Sequence, residues 1–292
     1  MQKYFFLLCC LIPSVLFSQM EKAVSNKVFK ETLINHAITT GQTLHLNFTN
    51  AMISYDTWDK QEVEISLTRI GQNTNKEQAE KDLNNLKFEF GEVRNAFKMR
   101  GYIALDKYVS NSSKLGFIVK IKAPKKSNLN IIANNSKMVV NNLDGDCKIQ
   151  ESNLFVIKFE KTNSNIECTG NEVKLIVSNS NYSLKANVQK SGIELNSSPK
   201  TSSLNLVLSD LKVKNLKNLD KMQITGQNSD IDIETNDAIK IHYNINLNRG
   251  KLEMPKDIND LRLNKDNTVY VSTNTANSCI SIQLLNSNVK IQ

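Results

Sequence analysis

Asn135-Ser136-Lys137-Met138-Val139-Val140 and Asn228-Ser229-Asp230-Ile231-Asp232-Ile233 state the same phrase, Asn-Ser-x-apolar-x-apolar. The phrase returns at Asn163 (Ile166, Cys168), Asn179 (Tyr182, Leu184), Asn277 (Ile280, Ile282) and Asn286 (Val289, Ile291). Looser copies put glycine where the others have serine, as in Asp144-Gly145-Asp146-Cys147-Lys148-Ile149 and Arg249-Gly250-Lys251-Leu252-Glu253-Met254. Ser191-Gly192-Ile193 and Ser209-Asp210-Leu211 keep the same grammar. Asn, Asp and Gly tolerate positive φ at little cost and so turn the chain. The alternation that follows puts one face inward and one outward. Each phrase reads as one turn and one short strand. Its recurrence from Asn128 to the C-terminus predicts an all-β fold, a right-handed β-helix or β-solenoid-like stack of short strands. The predicted interior is Met138, Val140, Ile166, Ile193, Leu195, Leu211, Val213, Ile231, Ile233, Leu252 and Ile280. Uneven spacing leaves layers of unequal length, or a locally antiparallel stack, as alternatives. Asn135, Asn163, Asn179 and Asn228 are placed to stack as ladders at corners.

Outward from these repeats, residues 19–127 read differently and form an N-terminal β segment continuous with the repeats of 128–292. Leu44-His45-Leu46-Asn47-Phe48 and Glu62-Val63-Glu64-Ile65-Ser66-Leu67 alternate as half-buried strands, joined through the turn Tyr55-Asp56-Thr57-Trp58-Asp59-Lys60. A helix is predicted near residues 75–87. Thr74 and Glu77 form its capping box, and Ala79, Leu83 and Leu86 fall on one face. Period two then returns in Phe88-Glu89-Phe90, Phe97-Lys98-Met99 and Phe117-Ile118-Val119-Lys120-Ile121. A lone helix among strands is expected to cap an open end of the stack, where uncovered strand edges would otherwise invite pairing.

Lys3 followed by the apolar run Tyr4 to Ile12, Pro13 and a Val15-Leu16-Phe17-Ser18-Gln19 exit reads as a signal peptide, residues 1–18. The run is too short for a span, which takes about 20 apolar residues. The mature chain is therefore expected to be exported to the periplasm or cell surface without a transmembrane anchor. The net charge of +8 over the full 292 residues is carried almost wholly by lysine, the only arginines being Arg69, Arg94, Arg100, Arg249 and Arg262. Lysines spread along strand faces, without stacking aromatics or bidentate arginines, do not make a nucleic-acid footprint. An anionic glycan or another envelope protein is the partner class compatible with this surface.

Removal of residues 1–18 leaves Cys147, Cys168 and Cys279. Cys147 is the first apolar position of its phrase and Cys168 the second of its own, an offset of roughly 7 Å along stacked strands. That is beyond comfortable disulfide geometry, so both are expected as free, buried thiols. His36, His45 and His242 are scattered and no C-x-x-C pair exists, so no metal site or cofactor is predicted.

Asp144 with Asp146, and Asp230, Asp232 and Glu234, are the nearest approach to a catalytic carboxylate cluster. The second set lies on the outward side of one strand and forms a candidate surface site for a cation or for polysaccharide chemistry. A solvated strand face is the simpler reading. Trp58, with Asp59 and Lys60, is read as a structural turn motif in preference to a sugar-stacking platform. No Ser-His-Asp order, phosphate-binding glycine loop or H-E-x-x-H is present.

Thr57-Trp58-Asp59-Lys60-x-x-Val63-x-Ile65, a Glu-containing helix, Phe117-x-Val119-x-Ile121-x-Ala123-Pro124-x-x-x-x-Leu129-x-Ile131 and then Val140-x-Asn142-Leu143-x-Gly145 follow one another in that order. This succession resembles the bacterial family of adhesin-like domains of unknown function, over most of the mature chain. Those domains place glycine at the head of each repeat strand, where this chain mostly has Asn-Ser. The resemblance implies a β-helix-like stack exported to the cell envelope and a non-enzymatic binding or scaffold role. The alternatives are a carbohydrate-active β-helix enzyme, a polysaccharide lyase or hydrolase using Asp230, Asp232 and Glu234, and a periplasmic component of an envelope-stress regulatory system.

Overall fold

The structure, a computed structural model, describes residues 26–104, 113–217, 219–235, 241–255, 261–264, 267–271 and 278–292. The predicted signal segment and the Asn277 phrase head lie outside the described residues. The fold is all-β. The N-terminal part comprises β1 (Asn26–Ala37), β2 (Thr43–Thr49), β3 (Ala51–Trp58), β4 (Glu62–Asn73), helix α1 (Lys76–Leu83), β5 (Leu86–Val93), β6 (Ala96–Ile103) and β7 (Lys114–Pro124). Three long strands follow, β8 (Asn128–Asn141), β9 (Cys147–Glu160) and β10 (Asn163–Ser178). After them each long strand is replaced by a pair: β11 (Asn181–Gln189) with β12 (Gly192–Leu195), β13 (Thr201–Val207) with β14 (Asp210–Leu216), and β15 (Lys221–Gln227) with β16 (Asp230–Thr235). The chain ends with β17 (Ile241–Asn248), β18 (Leu252–Glu253), β19 (Leu261–Asn264), β20 (Asn267–Val271), β21 (Ser278–Leu285) and β22 (Asn288–Ile291).

Hydrogen-bonded pairing sorts these strands into two ladders. Ladder I runs β5, β6, β2, β8, β9, β10, β11, β13, β15, β21, β17, β20, β19. Ladder II runs β1, β4, β7, β3, β8, β9, β10, β12, β14, β16, β22, β18. The long strands β8, β9 and β10 belong to both, bending from one ladder into the other. Pairing is parallel through the middle and antiparallel only towards the ends, at β1–β4, β4–β7, β5–β6, β17–β20 and β19–β20. Inward residues of both ladders join one contiguous apolar cluster. Phe48 of ladder I and Phe117 of ladder II meet edge to face with centroids 6.1 Å apart. Ten of the eleven residues predicted to be interior are buried; Leu252, on the two-residue strand β18, is half-buried against the same cluster.

The corner between the ladders explains the recurring serine. Asn50, Asn135, Leu154, Glu172, Lys190, Leu208, Asn228 and Asn286 each take a left-handed φ of 47–57° there. At five of these turns a serine follows, Ser136, Ser191, Ser209, Ser229 and Ser287, and it points inward and is buried; Ala51, Phe155 and Val173 take that place at the other three. Val173 N–H donates to Ser191 Oγ, Ser191 N–H to Ser209 Oγ, Ser209 N–H to Ser229 Oγ and Ser229 N–H to Ser287 Oγ, at 2.9–3.1 Å. Each hydroxyl in turn donates to the carbonyl two residues before it, as Ser209 does to Val207 O at 2.8 Å. A bent strand leaves a corner N–H without a strand partner, and the serine of the next layer supplies one.

Asparagine alone does not specify this turn. Leu154, Glu172, Lys190 and Leu208 adopt it too, held by the layers on either side. Asn163 does not: Lys161 makes the turn, with φ 53°, and Asn163 already lies in β10 facing outward. The expected single file of Asn135, Asn163, Asn179 and Asn228 is therefore corrected. Asn135 and Asn228 sit at one corner, Asn179 at the other and Asn163 on a strand face. At the corner Asn135 Nδ2 donates to Asn50 Oδ1 of the adjacent layer at 2.6 Å, and on strand faces neighbouring layers pair as in Asn181 Nδ2 to Asn163 Oδ1 and Asn205 Nδ2 to Asn187 Oδ1, both at 3.0 Å.

Layer order departs from chain order at both ends. β2 and β3 lie between β6/β7 and β8, and β21 and β22 lie between β15/β16 and β17/β18. The C-terminal strands thus fill an interior layer. Among the described residues α1 is the one helix, and it packs on β4 and β1. Its N-cap is Asn75, whose side chain accepts from Gln78 N at 3.2 Å, so the capping box predicted at Thr74 and Glu77 is one residue early. Asparagine caps at least as well as threonine, and Thr74 bonds Asn73 Oδ1 instead. The helix stops at Leu83; Leu86 belongs to β5.

Two outcomes follow from this packing. Ser209→Ala orphans the buried Ser191 N–H and should cost about 1–3 kcal/mol in urea unfolding. Ser203→Ala, on the exposed side of β13, should stay within about 0.5 kcal/mol. Ending the chain before Ser278 removes an interior layer and bares the facing edges of β15, β16, β17 and β18. The truncated chain should lose its cooperative thermal transition in far-ultraviolet circular dichroism; a retained sharp transition would show that this layer is dispensable.

Candidate functional site

Parallel register lines outward side chains into rows across strands about 4.8 Å apart. On the C-terminal half of ladder II, one row reads Glu194, Lys212, Asp232, Lys290, Glu253, one residue from each of five adjacent strands. Opposite charges alternate at every step. The row beside it contains Lys174, Gly192, Asp210, Asp230, Asn288 and Lys251. A groove of about 630 Å³ runs along these two rows. Gly192 opens it, because a Cβ added there would meet nothing within 4 Å.

The groove's charges are largely matched internally. Asn288 Nδ2 donates to Asp230 Oδ1 and Gln292 Nε2 to Asp232 Oδ1, both at 3.0 Å. Lys212 Nζ lies 3.8 Å from Asp232 Oδ2 and 3.9 Å from Glu234 Oε1. Lys251 donates to Glu253 at 2.6 Å, and this bond, with the lysine's charge, holds the Glu253 carboxyl below the usual range. Asp230 and Asp232 therefore do face one groove, while Glu234 is drawn to Lys212. The other carboxylate pair is tied elsewhere, Asp144 to Lys125 at 3.2 Å and Asp146 to Asn165 Nδ2 at 2.9 Å. Among the described residues no group of three or more His, Cys, Asp or Glu is placed to hold a metal ion. Sequence reading missed Lys290 as the cross-strand neighbour of Asp232, and Glu253 as that of Lys290, because the layer carrying Lys290 reaches that position by insertion from the C-terminus.

Trp58 ends β3 and its indole N–H donates to Glu62 O at 2.9 Å across the turn. Lys60 and Lys122 place their ammonium groups 4.6 and 5.4 Å from its ring centroid. Asp56 Oδ1 accepts from Asn142 Nδ2 at 3.0 Å, tying this turn to the start of the next layer. The half-buried ring is occupied by its own lysines and the turn it closes.

Cys147 stands opposite Ile166 and Cys168 opposite Ile149, one pleat apart on neighbouring strands. Both thiols are free and buried. Burial, with Cys168 nearby, pushes Cys147 well above the ordinary thiol value, and burial pushes Cys168 up to about 12. Cys279 is half-exposed on β21 between Lys221 and His242.

No protein family and no curated protein matches this chain. Among solved structures, it is similar to a "putative adhesin" from Bacteroides fragilis at 9% identity, TM-score 0.53, over 90% of this chain and 97% of that one. A "putative lipid binding protein" from Parabacteroides distasonis aligns at 12% identity and TM-score 0.46, over 90% and 97% of the two chains. A "putative adhesin" from Parabacteroides merdae aligns at 11% and 0.40, over 90% and 96%. At such identities the likeness is one of fold, carried by the Bacteroides fragilis protein. The resemblance read from the Trp58 turn and the repeat phrases is met at that level.

Alkylation of the folded chain beginning at Gln19, under non-reducing conditions at neutral pH, should label Cys279 alone, with Cys147 and Cys168 reacting only after unfolding. A Cys147–Cys168 cross-linked peptide in the mass spectrum would contradict the register.

Proposed function

We propose that this chain is an exported, non-enzymatic cell-envelope protein, an adhesin-like binding or scaffold module built on a right-handed β-solenoid. Support for the solenoid comes from parallel ladders with cross-layer bonds 18 to 20 residues apart, such as Ser191 to Ser209 and Ser209 to Ser229. Support for export comes from the Lys3 to Gln19 segment. The adhesin-like role draws on the fold shared with the Bacteroides fragilis protein. One observation carries the binding reading: five adjacent strands hold a row of alternating charge along an open groove. Such a row costs little reorganisation on docking, since the sheet fixes its spacing.

The charge balance indicates the partner. Lys174, Lys212, Lys251 and Lys290 face Glu194, Asp210, Asp230, Asp232 and Glu253. A polyanionic glycan would meet those carboxylates as well as the lysines, whereas a protein surface of mixed charge can mesh with both. An envelope protein is therefore favoured over an anionic glycan for this groove. The enzymatic alternative would use Asp230, Asp232 and Glu234, which here are engaged by Asn288, Gln292 and Lys212.

The test is capture of envelope extracts on the immobilised protein, beside a reducing-end assay on anionic polysaccharides. A salt-sensitive protein partner should be retained. Gly192→Tyr, which fills the groove in open space, should weaken capture about ten-fold, a change of ~1.4 kcal/mol, without altering the melting temperature. Release of reducing ends that disappears in Asp230→Ala and Asp232→Ala would replace this reading with the enzymatic one.

A further inference from the structure

The other half of ladder II has a different surface chemistry. On β8, β9 and β10 the outward residues are Lys137 and Val139, Val156 and Lys158, Lys174 and Ile176. Register sets Lys137 against Val156 and Val156 against Lys174 in one row, and Val139 against Lys158 and Lys158 against Ile176 in the next. The result is a chequerboard of lysine and branched apolar side chains. Beyond β8 the pattern loosens: Met52 on β3 stands against Ile118 on β7 and Ser54 against Lys120, Thr68 and Ser66 follow on β4, and on β1 the exposed Phe29 and Leu33 flank Glu31. Met52, Leu33 and Phe29 are 61%, 66% and 55% exposed, and Val139 is 40% exposed. From β1 to β10 the face crosses seven strands, about 29 Å.

The lysines fall into two groups. Lys122 and Lys158 are neutralised by Glu64 and Glu160, at 3.2 and 2.8 Å. Lys120, Lys137 and Lys174 have no carboxylate within ion-pair reach among the described residues. Exposed apolar side chains over so broad a face mark a contact surface, and the unpaired ammonium groups restrict what can cover it. A polyanionic glycan would satisfy the lysines and leave Met52, Leu33 and Phe29 in water. An apolar protein surface would cover those three and strand the lysines without counter-charge. An anionic bilayer interface accepts both, taking apolar side chains into the headgroup and acyl boundary while lysine stems extend to the phosphates.

We propose that this face, from β1 to β10 on ladder II, is a docking surface for an anionic lipid membrane, with Met52, Leu33 and Val139 as its apolar contacts and Lys120, Lys137 and Lys174 as its headgroup contacts. It lies on the same ladder as the charged groove and meets it at Lys174 on β10, the one residue assigned to both, while Lys120, Lys137, Met52, Leu33 and Val139 lie outside the groove; it stands whether or not the groove binds a protein.

The experiment is co-sedimentation of the purified chain beginning at Gln19, so that the apolar leader cannot itself enter lipid. The vesicles are pure phosphatidylcholine, or phosphatidylcholine mixed with phosphatidylglycerol. Binding is expected to the mixed vesicles only and should fall as salt rises. Lys137→Gln and Lys174→Gln should each weaken it about five-fold. Met52→Ser with Val139→Ser should weaken it at unchanged charge, and Lys221→Gln, on the outer face of ladder I, should leave it unaltered. All are surface changes, so unchanged melting temperatures exclude misfolding. No binding to mixed vesicles, equal binding to both kinds, or the same loss in Lys221→Gln as in Lys137→Gln would overturn the proposal.

Discussion

The structure depends on how the backbone is satisfied where each strand bends from one ladder to the other. A left-handed residue makes the bend, which costs a non-glycine residue roughly 1–2 kcal/mol, and the bend leaves buried N–H groups beyond the reach of strand pairing. Ser191, Ser209, Ser229 and Ser287 meet this need in file, each accepting from the layer before it and donating to its own strand. An unsatisfied buried amide costs about as much as the turn itself. The corner is therefore tolerable only when layers are stacked, so the turn and the stack stabilise each other.

Stacking has two consequences for function. Parallel register converts a short alternating strand into one position of a row that crosses many strands, so the surface is written across layers more than along the chain. Each outward residue then matters through its neighbours some 18 to 20 residues away. The same geometry leaves free edges at both ends, and the structure manages them with antiparallel strands, β1 and β4 at one end and β20 and β19 at the other, and with α1 packed on β4 and β1. Antiparallel pairing suits the ends because it needs only short connections, where a parallel pair needs a crossover.

Ladder II carries two surfaces that share a scaffold and differ in chemistry. Towards β1 the rows mix lysine with apolar side chains; towards β18 they alternate acids with lysines. The change falls between β10 and β12, where Gly192 interrupts the row that contains Lys174 and Asp210. On the two proposals, a bilayer-facing half and a protein-facing half would share one sheet, so that the protein could lie on a membrane while presenting a groove beside it. The arrangement needs no hinge, since both halves are parts of one hydrogen-bonded ladder.

Much of this was legible in the residues themselves. Alternation after each Asn-Ser phrase identified the buried positions, because side-chain direction in a strand has period two whatever the partner strand is. The turn at Trp58 and the cysteine offset were legible for the same local reason. Helix α1 was found but its cap was misplaced by one residue, since Thr74 and Asn75 are both good caps and only packing against β4 chooses between them. Which residue turns a corner was legible only in part: Leu154, Glu172, Lys190 and Leu208 bend there with no propensity for it, held by the layers above and below. The order of layers was not legible at all. Pairing of Asp232 with both Lys212 and Lys290, and of Lys137 with Met52, joins segments as far apart as 58 and 85 residues. Strand periodicity says which face a residue takes; only the stacked tertiary structure decides which strand lies beside it, because any alternating strand can pair with any other until the caps and the inserted C-terminal layer leave a single arrangement.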